Sequence, residues 1–286
     1  MAQRQQGPRI IILGSNGKLG RLVRAVWSAG GGGDVHFVPV VRRASGITDE
    51  LVWAPGMDLT NLPQADAVVA LWGVIPGQGA DLAANTALAL AAMEVGHAVG
   101  ADRVFHCSSA AIYAAVSEPL TECVPLVPLS DYGQAKLEME RALLASRRDR
   151  GPVPVSLRIG NVAGAESLFA AMSRSQVVHL DRFSDGAGPE RSYIAATDLA
   201  QVLAKLATLP RQDLPEVLNV AAPVSTTMES IVRAAGRQVV WRDAPAAATR
   251  RVILDTARLN ALCPLRMENA RPEYLVSDWL RWKEAE

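Results

Sequence analysis

The sequence predicts an α/β fold: a doubly wound parallel sheet with a small C-terminal lobe folded against one edge. Three observations carry this. Short apolar runs alternate with amphipathic stretches from Arg9 to Ile159, the pattern of strand–helix–strand units whose sheet is covered on both faces. The first run ends in a glycine-rich turn that opens a helix. After Gly160 the alternation loosens, and glycine and serine recur between Gly164 and Gly188. The chain therefore reads as a polar tail over 1–8, a main domain over 9–160, and a mixed α/β part over 161–286 interleaved with the main domain.

The first strand is the apolar run Arg9 to Leu13, and Gly14-Ser15-Asn16-Gly17-Lys18-Leu19-Gly20 follows it. Glycines at 14, 17 and 20 let the backbone turn tightly and approach a pyrophosphate. The amphipathic helix that runs on to about Ala29 would face the anion with free N–H groups and its positive dipole end. This is a Rossmann-type turn, although its spacing is Gly-x-x-Gly-x-x-Gly and not Gly-x-Gly-x-x-Gly. Gly14, Asn16, Gly17, Lys18, Leu19 and Gly20 are the first candidate cofactor contacts.

Gly30 to Gly33 is a flexible loop, and Val35 to Val41 is the second strand. Where an acidic residue would take the ribose 2′-hydroxyl of NAD stand Arg42 and Arg43. Arginines there suit the 2′-phosphate of NADP, so the expected cofactor is NADP or NAD, with NADP favoured. A solvated arginine pair is the plain alternative. Leu51 to Ala54 is a third strand. Ala67 to Trp72 is a buried fourth, and its end brings Leu71, Trp72 and Gly73 towards the cofactor.

A long alanine-rich helix is predicted over Asp81 to Gly100, with Asn85 near its start. Arg103 to Ser108 is the fifth strand. It delivers Ser108 and Ser109 at the carboxyl edge of the sheet, where ligands of such sheets bind. A proline-rich loop, Pro119 to Pro128, leads to a helix from Tyr132 to about Arg148, and Val153 to Ile159 is the sixth strand. Downstream lie a helix over Ser167 to Arg174 and a strand over Val177 to Leu180. Next come a helix over Thr197 to Ala207 with Thr197 as N-cap and a strand over Val217 to Val220. A helix over Thr226 to Ala235 is ended by Gly236, and the last helix covers Tyr274 to Lys283.

Tyr132 and Lys136 are four apart and share one helix face. A free phenol, with a pKa of about 10, is a poor proton carrier at neutral pH. A cation one turn away would stabilise the phenolate and lower that value. A serine opposite, Ser109, could hold a substrate carbonyl or alcohol while the phenol moves the proton. With a hydride carrier alongside, this set oxidises an alcohol or reduces a ketone.

Charges balance at 29 and 29, so neither nucleic acid nor a membrane surface is indicated as partner. Cys107, Cys123 and Cys263 show no metal spacing. The N-terminus lacks the apolar core of a signal peptide and no apolar run has the length of a membrane span. The expectation is a soluble cytoplasmic protein without a metal, acting on a small molecule. His97 and His106 read as packing residues, Glu122 as part of a turn, and His179 as a surface residue or a second proton donor.

Taken together, these residues resemble the extended short-chain dehydrogenase/reductase family, which contains nucleotide-sugar epimerases, dehydratases and reductases. The likeness covers nearly the whole chain. It implies that Gly14, Gly17 and Gly20 bind the cofactor, that Asp58, followed by Leu59, contacts adenine, and that Asn85 supports the active site. It also implies catalytic roles for Ser109, Tyr132 and Lys136, with Ala110 beside the substrate. Asn161 in Leu157-Arg-Ile-Gly-Asn161 would meet substrate phosphates, and Arg191 in Arg191-Ser-Tyr-Ile-Ala-Ala-Thr-Asp198 the substrate anion. In the family the helices here at 81–100 and 132–148 pair two subunits, which implies a homodimer.

Three departures qualify the likeness. Trp72 replaces a small residue and could crowd the cofactor. Ala114 replaces a usual glycine. Ala110 and Ala111 stand where sugar 4,6-dehydratases carry an Asp-Glu pair, so dehydration is disfavoured. The expected activity is that of an NAD(P)-dependent oxidoreductase or epimerase. The alternative is a catalytically silent NADP(H)-binding sensor or scaffold. Specificity is expected in loops 73–80, 110–130 and 160–192.

Overall fold

The computed structural model describes residues 7–44, 46, 49–114 and 119–285. Of the predicted tail, residues 1–6 lie outside the described residues, as do 115–118 of the loop after the fifth strand.

The first half alternates as the hydrophobic pattern requires. β1 (Arg9–Leu13), α1 (Lys18–Ser28), β2 (His36–Val41), β3 (Leu51–Val52), β4 (Ala67–Ala70), α2 (Ala84–Ala98) and β5 (Arg103–Ser109) come first. A 3-10 turn (Ala110–Ile112), α3 (Asp131–Ala145) and β6 (Val153–Ile159) complete it. The second half is finer grained than the sequence suggests. It begins with β7 (Asn161–Val162), α4 (Ser167–Arg174), β8 (Val177–Arg182), β9 (Glu190–Arg191), β10 (Tyr193–Ile194) and α5 (Ala196–Ala207). Then come β11 (Val217–Val220), β12 (Thr226–Thr227), α6 (Met228–Ala234), β13 (Gln238–Asp243), β14 (Arg251–Val252), α7 (Ala257–Leu262) and α8 (Pro272–Trp282).

Seven strands form one parallel sheet in the order β11-β6-β5-β4-β1-β2-β3. The chain runs outward from β1 to β3, then returns to β4 and runs the other way. The order therefore reverses between β1 and β4, and a crevice opens there beyond the carboxyl ends of the strands. Alternate residues of each strand feed opposite faces, as the pleat demands. Ile10, Ile12, Val69 and Phe105 pack with α1 and α5 residues such as Val23, Val26 and Leu203. Ile11, Leu13, Val68 and Val104 pack against α2 and α3 through Leu88, Ala92, Met139 and Leu143. A separate cluster under the C-terminal lobe joins Phe169, Tyr193, Ile231 and Trp279, with the Phe169 and Trp279 rings edge-to-face at 5.2 Å.

One local expectation is corrected, and one strand was not foreseen. Thr197 is not the N-cap of α5: that position is Ala195, which offers no side-chain cap. Instead Asp278 of α8 reaches across, accepting the Thr197 N–H at 3.2 Å and the Thr197 hydroxyl. The strand β13, unmarked by strong alternation, forms because it pairs in parallel with β8 over six residues. Gly236 ends α6 as expected, with φ +66°.

Candidate active site

The glycine turn sits at the crevice. Gly14 has φ +78°, and a Cβ there would lie 2.6–2.7 Å from Trp72 atoms, so both conformation and space require glycine. A Cβ on Gly20 would stand 2.4 Å from the Gly14 carbonyl oxygen; that glycine lets α1 close onto the turn and does not border the cleft. The N–H groups of Gly14 and Ser15 donate to the Val40 carbonyl at 3.1 and 3.2 Å, fastening the turn to the end of β2. α1 starts without a side-chain cap and without an acidic residue in its first turn. Its N-terminus is thus suited to an anion, and the residues fit a dinucleotide pyrophosphate.

A cleft of about 390 Å³ extends from this turn across the sheet edge. Gly14, Asn16, Gly17, Lys18, Leu19 and Arg42 border it on one side, and Leu71, Trp72 and Gly73 along the floor. Ser108, Ser109, Tyr132 and Lys136 also border it, as does Asn161 with the segment after β6. Trp72 does not lie across the opening: it is 8% exposed and its ring stacks on Trp53 at 5.9 Å within the core.

Three elements converge on the polar end. Ser109 closes β5, and its hydroxyl accepts the Ala111 N–H at 3.1 Å, capping the 3-10 turn that follows. Ser130 caps α3 through the Gly133 N–H at 3.1 Å, which starts the helix so that Tyr132 and Lys136 point back to β5. A Cβ on Gly133 would meet the Ala111 carbonyl at 2.1 Å, so helix and turn touch backbone to backbone there. Lys136 is 2% exposed. Its ammonium donates to the Cys107 carbonyl at 2.8 Å and to Asn85 Oδ1 at 3.2 Å, and lies 5.7 Å from the Tyr132 ring centre.

Asn85 is held in turn. Its Oδ1 also accepts the Val74 N–H at 3.1 Å, and its amide donates to the Val74 and Leu82 carbonyls at 3.0 and 2.9 Å. It supports Lys136 and the loop after β4 from behind the cleft.

The electrostatics correct one expectation. Burial pushes the Tyr132 phenol above its ordinary value, and the hydrogen bond with the Ser109 hydroxyl opposes that shift. The Lys136 ammonium is directed to the Cys107 carbonyl and Asn85 and lies 5.7 Å from the ring centre, and burial carries the phenol upward all the same. Burial likewise lowers the Lys136 pKa, with Glu140 acting against it.

Six other expected residues stand apart from the cleft, Leu59 among them. Arg43 is exposed beyond it. Asp58 is exposed beside Leu59, and its carboxylate takes the Thr60 N–H at 3.0 Å and hydroxyl at 2.7 Å, which hold it below its usual range. Ala110 lies in the 3-10 turn away from the opening. Arg191 donates to the carbonyls of Glu190 and Arg250 at 2.8 Å and of Thr249 at 2.6 Å, off the cleft. His179 is exposed on β8.

Sequence reasoning missed two groups. Glu166, at the start of α4, borders the cleft; its only signal was its place in the 160–192 segment. Glu122 does more than make a turn, since its carboxylate accepts the Asn219 N–H at 3.0 Å and its carbonyl accepts from Arg158 at 3.1 Å.

Known proteins share the fold. A UDP-glucose 4-epimerase from Azospirillum brasilense is 40% identical over 83 residues, a stretch covering 29% of this chain and 24% of the relative. Among solved structures, an NAD-dependent NDP-hexosamine 5,6-dehydratase of tunicamycin biosynthesis superposes with a TM-score of 0.77 at 22% identity, covering 98% of both chains. A UDP-glucuronic acid 4-epimerase from Bacillus cereus, in complex with UDP-glucuronic acid and NAD, gives 0.75 at 16% identity, covering 97% of this chain and all of that one. At such identities the structural likeness is one of fold. A profile of the NAD dependent epimerase/dehydratase family matches residues 10–221, and the chain belongs to that family.

Proposed function

We propose that the protein transfers hydride to or from a carbinol carbon of a nucleotide-sugar-like substrate, as an NAD(P)-dependent epimerase or oxidoreductase. The observation that carries this is the meeting of Ser109, Tyr132 and Lys136 at the crevice beside the glycine turn. NAD bound along that turn supplies the hydride acceptor. Tyr132, acting as the phenolate, takes the proton of the substrate hydroxyl and as the phenol later returns it. Ser109 orients the substrate oxygen against the phenol. Lys136, fixed by Asn85 and the Cys107 carbonyl, keeps positive charge beside the phenol as it loses its proton.

Epimerisation is favoured over net reduction because the curated relative is a UDP-glucose 4-epimerase. Ala110 and Ala111 in place of an acid–base pair speak against dehydration. The same reading includes a homodimer joined through α2 and α3, which sedimentation tests: a single-chain mass overturns it.

The deciding experiment incubates the NAD-loaded protein with UDP-glucose and separates the products, for wild type and Tyr132→Phe. Interconversion of the 4-epimers that falls about 10²–10⁴-fold in the variant, at unchanged NAD affinity, is the expected result. Equal turnover by the variant overturns the catalytic assignment. NAD binding without turnover of any sugar nucleotide leaves the sensor.

A further inference from the structure

Trp72 and His106 are buried polar side chains that the chemistry described above leaves unused; they are 8% and 1% exposed. Ala70 at the end of β4 pairs with His106 of β5, so Trp72, two residues further on, projects from the same face of the sheet. The neighbours agree. Trp72 belongs to one core cluster with Met93 and Met139, and His106 Nε2 lies 3.4 Å from Met93 Sδ. Trp72 Nε1 and His106 Nδ1 are both shielded from solvent, and neither has a hydrogen-bond partner among the described residues. A buried polar atom left alone costs free energy, so two of them on one sheet face need an explanation.

The two atoms are complementary. An indole nitrogen only donates. A thioether has no proton to give, so the imidazole nitrogen beside Met93 Sδ carries the N–H. Burial and the Lys136 charge push the imidazole down to about 3, so the ring is neutral with that single N–H, and Nδ1 only accepts. Trp72 and His106 also border one small space, together with Asn85, Cys107 and Met139. Its volume is about 10 Å³, close to the least that holds one water.

We infer that this space is a water site: one buried water accepts the Trp72 N–H and donates to His106 Nδ1, tying the cleft floor at the end of β4 to β5. A donor-only and an acceptor-only group can share a ligand that both accepts and donates, and the space admits nothing larger than water. The tie sits beside Asn85 and Cys107, the two residues that hold the Lys136 ammonium. It also accounts for the tryptophan at position 72. An indole in place of a small residue brings a donor into the core, and the water and His106 supply its acceptor. The site is independent of the substrate that the cleft takes.

The test combines a high-resolution crystal structure of the wild-type protein and of His106→Asn with folding constants from urea unfolding. Unfolding is measured for wild type, Trp72→Phe, His106→Leu, His106→Asn and the double variant Trp72→Phe/His106→Leu. Phenylalanine keeps a ring against Trp53 and lacks the N–H. Leucine lacks the acceptor. Asparagine retains an acceptor oxygen near the place of Nδ1.

The wild-type map should show one water within about 3 Å of both nitrogens. Trp72→Phe and His106→Leu should each lower the folding constant at least about fivefold. The double variant should lose less than the product of the two, because neither partner is then left unpaired. His106→Asn should keep the water and lose less than His106→Leu. A wild-type map with no water in that space overturns the assignment, as does a direct hydrogen bond between Trp72 and His106. A water accompanied by losses that simply multiply overturns the tie between the strands. Where a variant does not fold, the wild-type map decides.

Discussion

Arg158→Met tests what holds the serine of the active site in place. Arg158 on β6 and Glu140 on α3 meet at 2.8 Å with side chains 4% and 7% exposed. The Arg158 Nε donates to both carboxylate oxygens at 3.2 Å, and its Nη1 donates to the Tyr113 hydroxyl at 2.9 Å. Glu140 Oε1 accepts the Ser108 hydroxyl at 2.5 Å, and the Tyr113 hydroxyl donates to Asn219 Oδ1 at 2.7 Å. Ser108 and Tyr113 bracket the turn that carries Ser109, so one buried ion pair fastens both ends of it.

Removing the guanidinium leaves the Glu140 carboxylate in the core with the Ser108 hydroxyl as its remaining hydrogen-bond partner. Breaking a buried pair from one side costs about 3–5 kcal/mol, a large share of a typical stability of about 5–15 kcal/mol. Adding Glu140→Leu removes the orphaned charge. The double variant then lacks the bonds of Arg158 to Tyr113 and to the Glu122 carbonyl and that of Ser108 to Glu140, about 1 kcal/mol each, and should be more stable than Arg158→Met alone. Urea unfolding followed by circular dichroism, with the slope m checked for constancy, gives the three differences. The double variant should also lose at least about tenfold in turnover, because Ser109 is no longer held to fine tolerance. A cost below about 1 kcal/mol for Arg158→Met, or a double variant as unstable as the sum of the singles, would refute the reasoning.

Other perturbations read other parts of the site. Arg42→Ala should weaken NADPH binding about fivefold to tenfold relative to NADH, since this guanidinium borders the cleft at its exposed rim; Arg43→Ala should not, and fluorescence titration that finds both or neither effective contradicts the placement. Gly20→Ala puts a Cβ 2.4 Å from the Gly14 carbonyl oxygen, so the turn must open; NAD affinity measured by calorimetry should fall about tenfold or more. Asp198 is 1% exposed and burial pushes its carboxyl up to about 6 from 3.8, against hydrogen bonds from Tyr274 and Asn269. A raised folded pKa means that its stability contribution is fully present below about pH 3.8 and is lost as pH rises through about 6. At about 1.4 kcal/mol per unit, wild type should lose about 3 kcal/mol relative to Asp198→Asn between those limits; a stability difference flat with pH would count against it.

What could be read from the sequence is what is encoded locally. The strand–turn–helix at 9–28 follows from four successive apolar residues, Ile10 to Leu13, and three glycines, and the Gly14 φ of +78° is the conformation that glycine signals. The i, i+4 spacing of Tyr132 and Lys136 puts both on one helix face, and Ser109 reaches the sheet edge because strand β5 must end there. The direction in which the Lys136 ammonium points is not local. It is set by Asn85, 51 residues away, and by the Cys107 carbonyl, 29 residues away, and the burial that carries the Tyr132 phenol upward is not local either.

The same distinction explains the rest. Asp198 and Asp278 are ordinary carboxylates in the sequence; their partners Tyr274 and Thr197 lie 76 and 81 residues away. Arg158 interrupts the apolar run Val153–Ile159, and by pattern alone it is a defect in a buried strand. It is tolerable only because α3 sets Glu140 against it, one turn beyond Lys136 on the same helix. A helix that carries the proposed proton-transfer pair thus also carries the counter-ion that anchors Ser108, next to Ser109. The three side chains proposed to react therefore share a single mechanical support, and loss of the ion pair should lower turnover in folded protein more than it lowers NAD affinity.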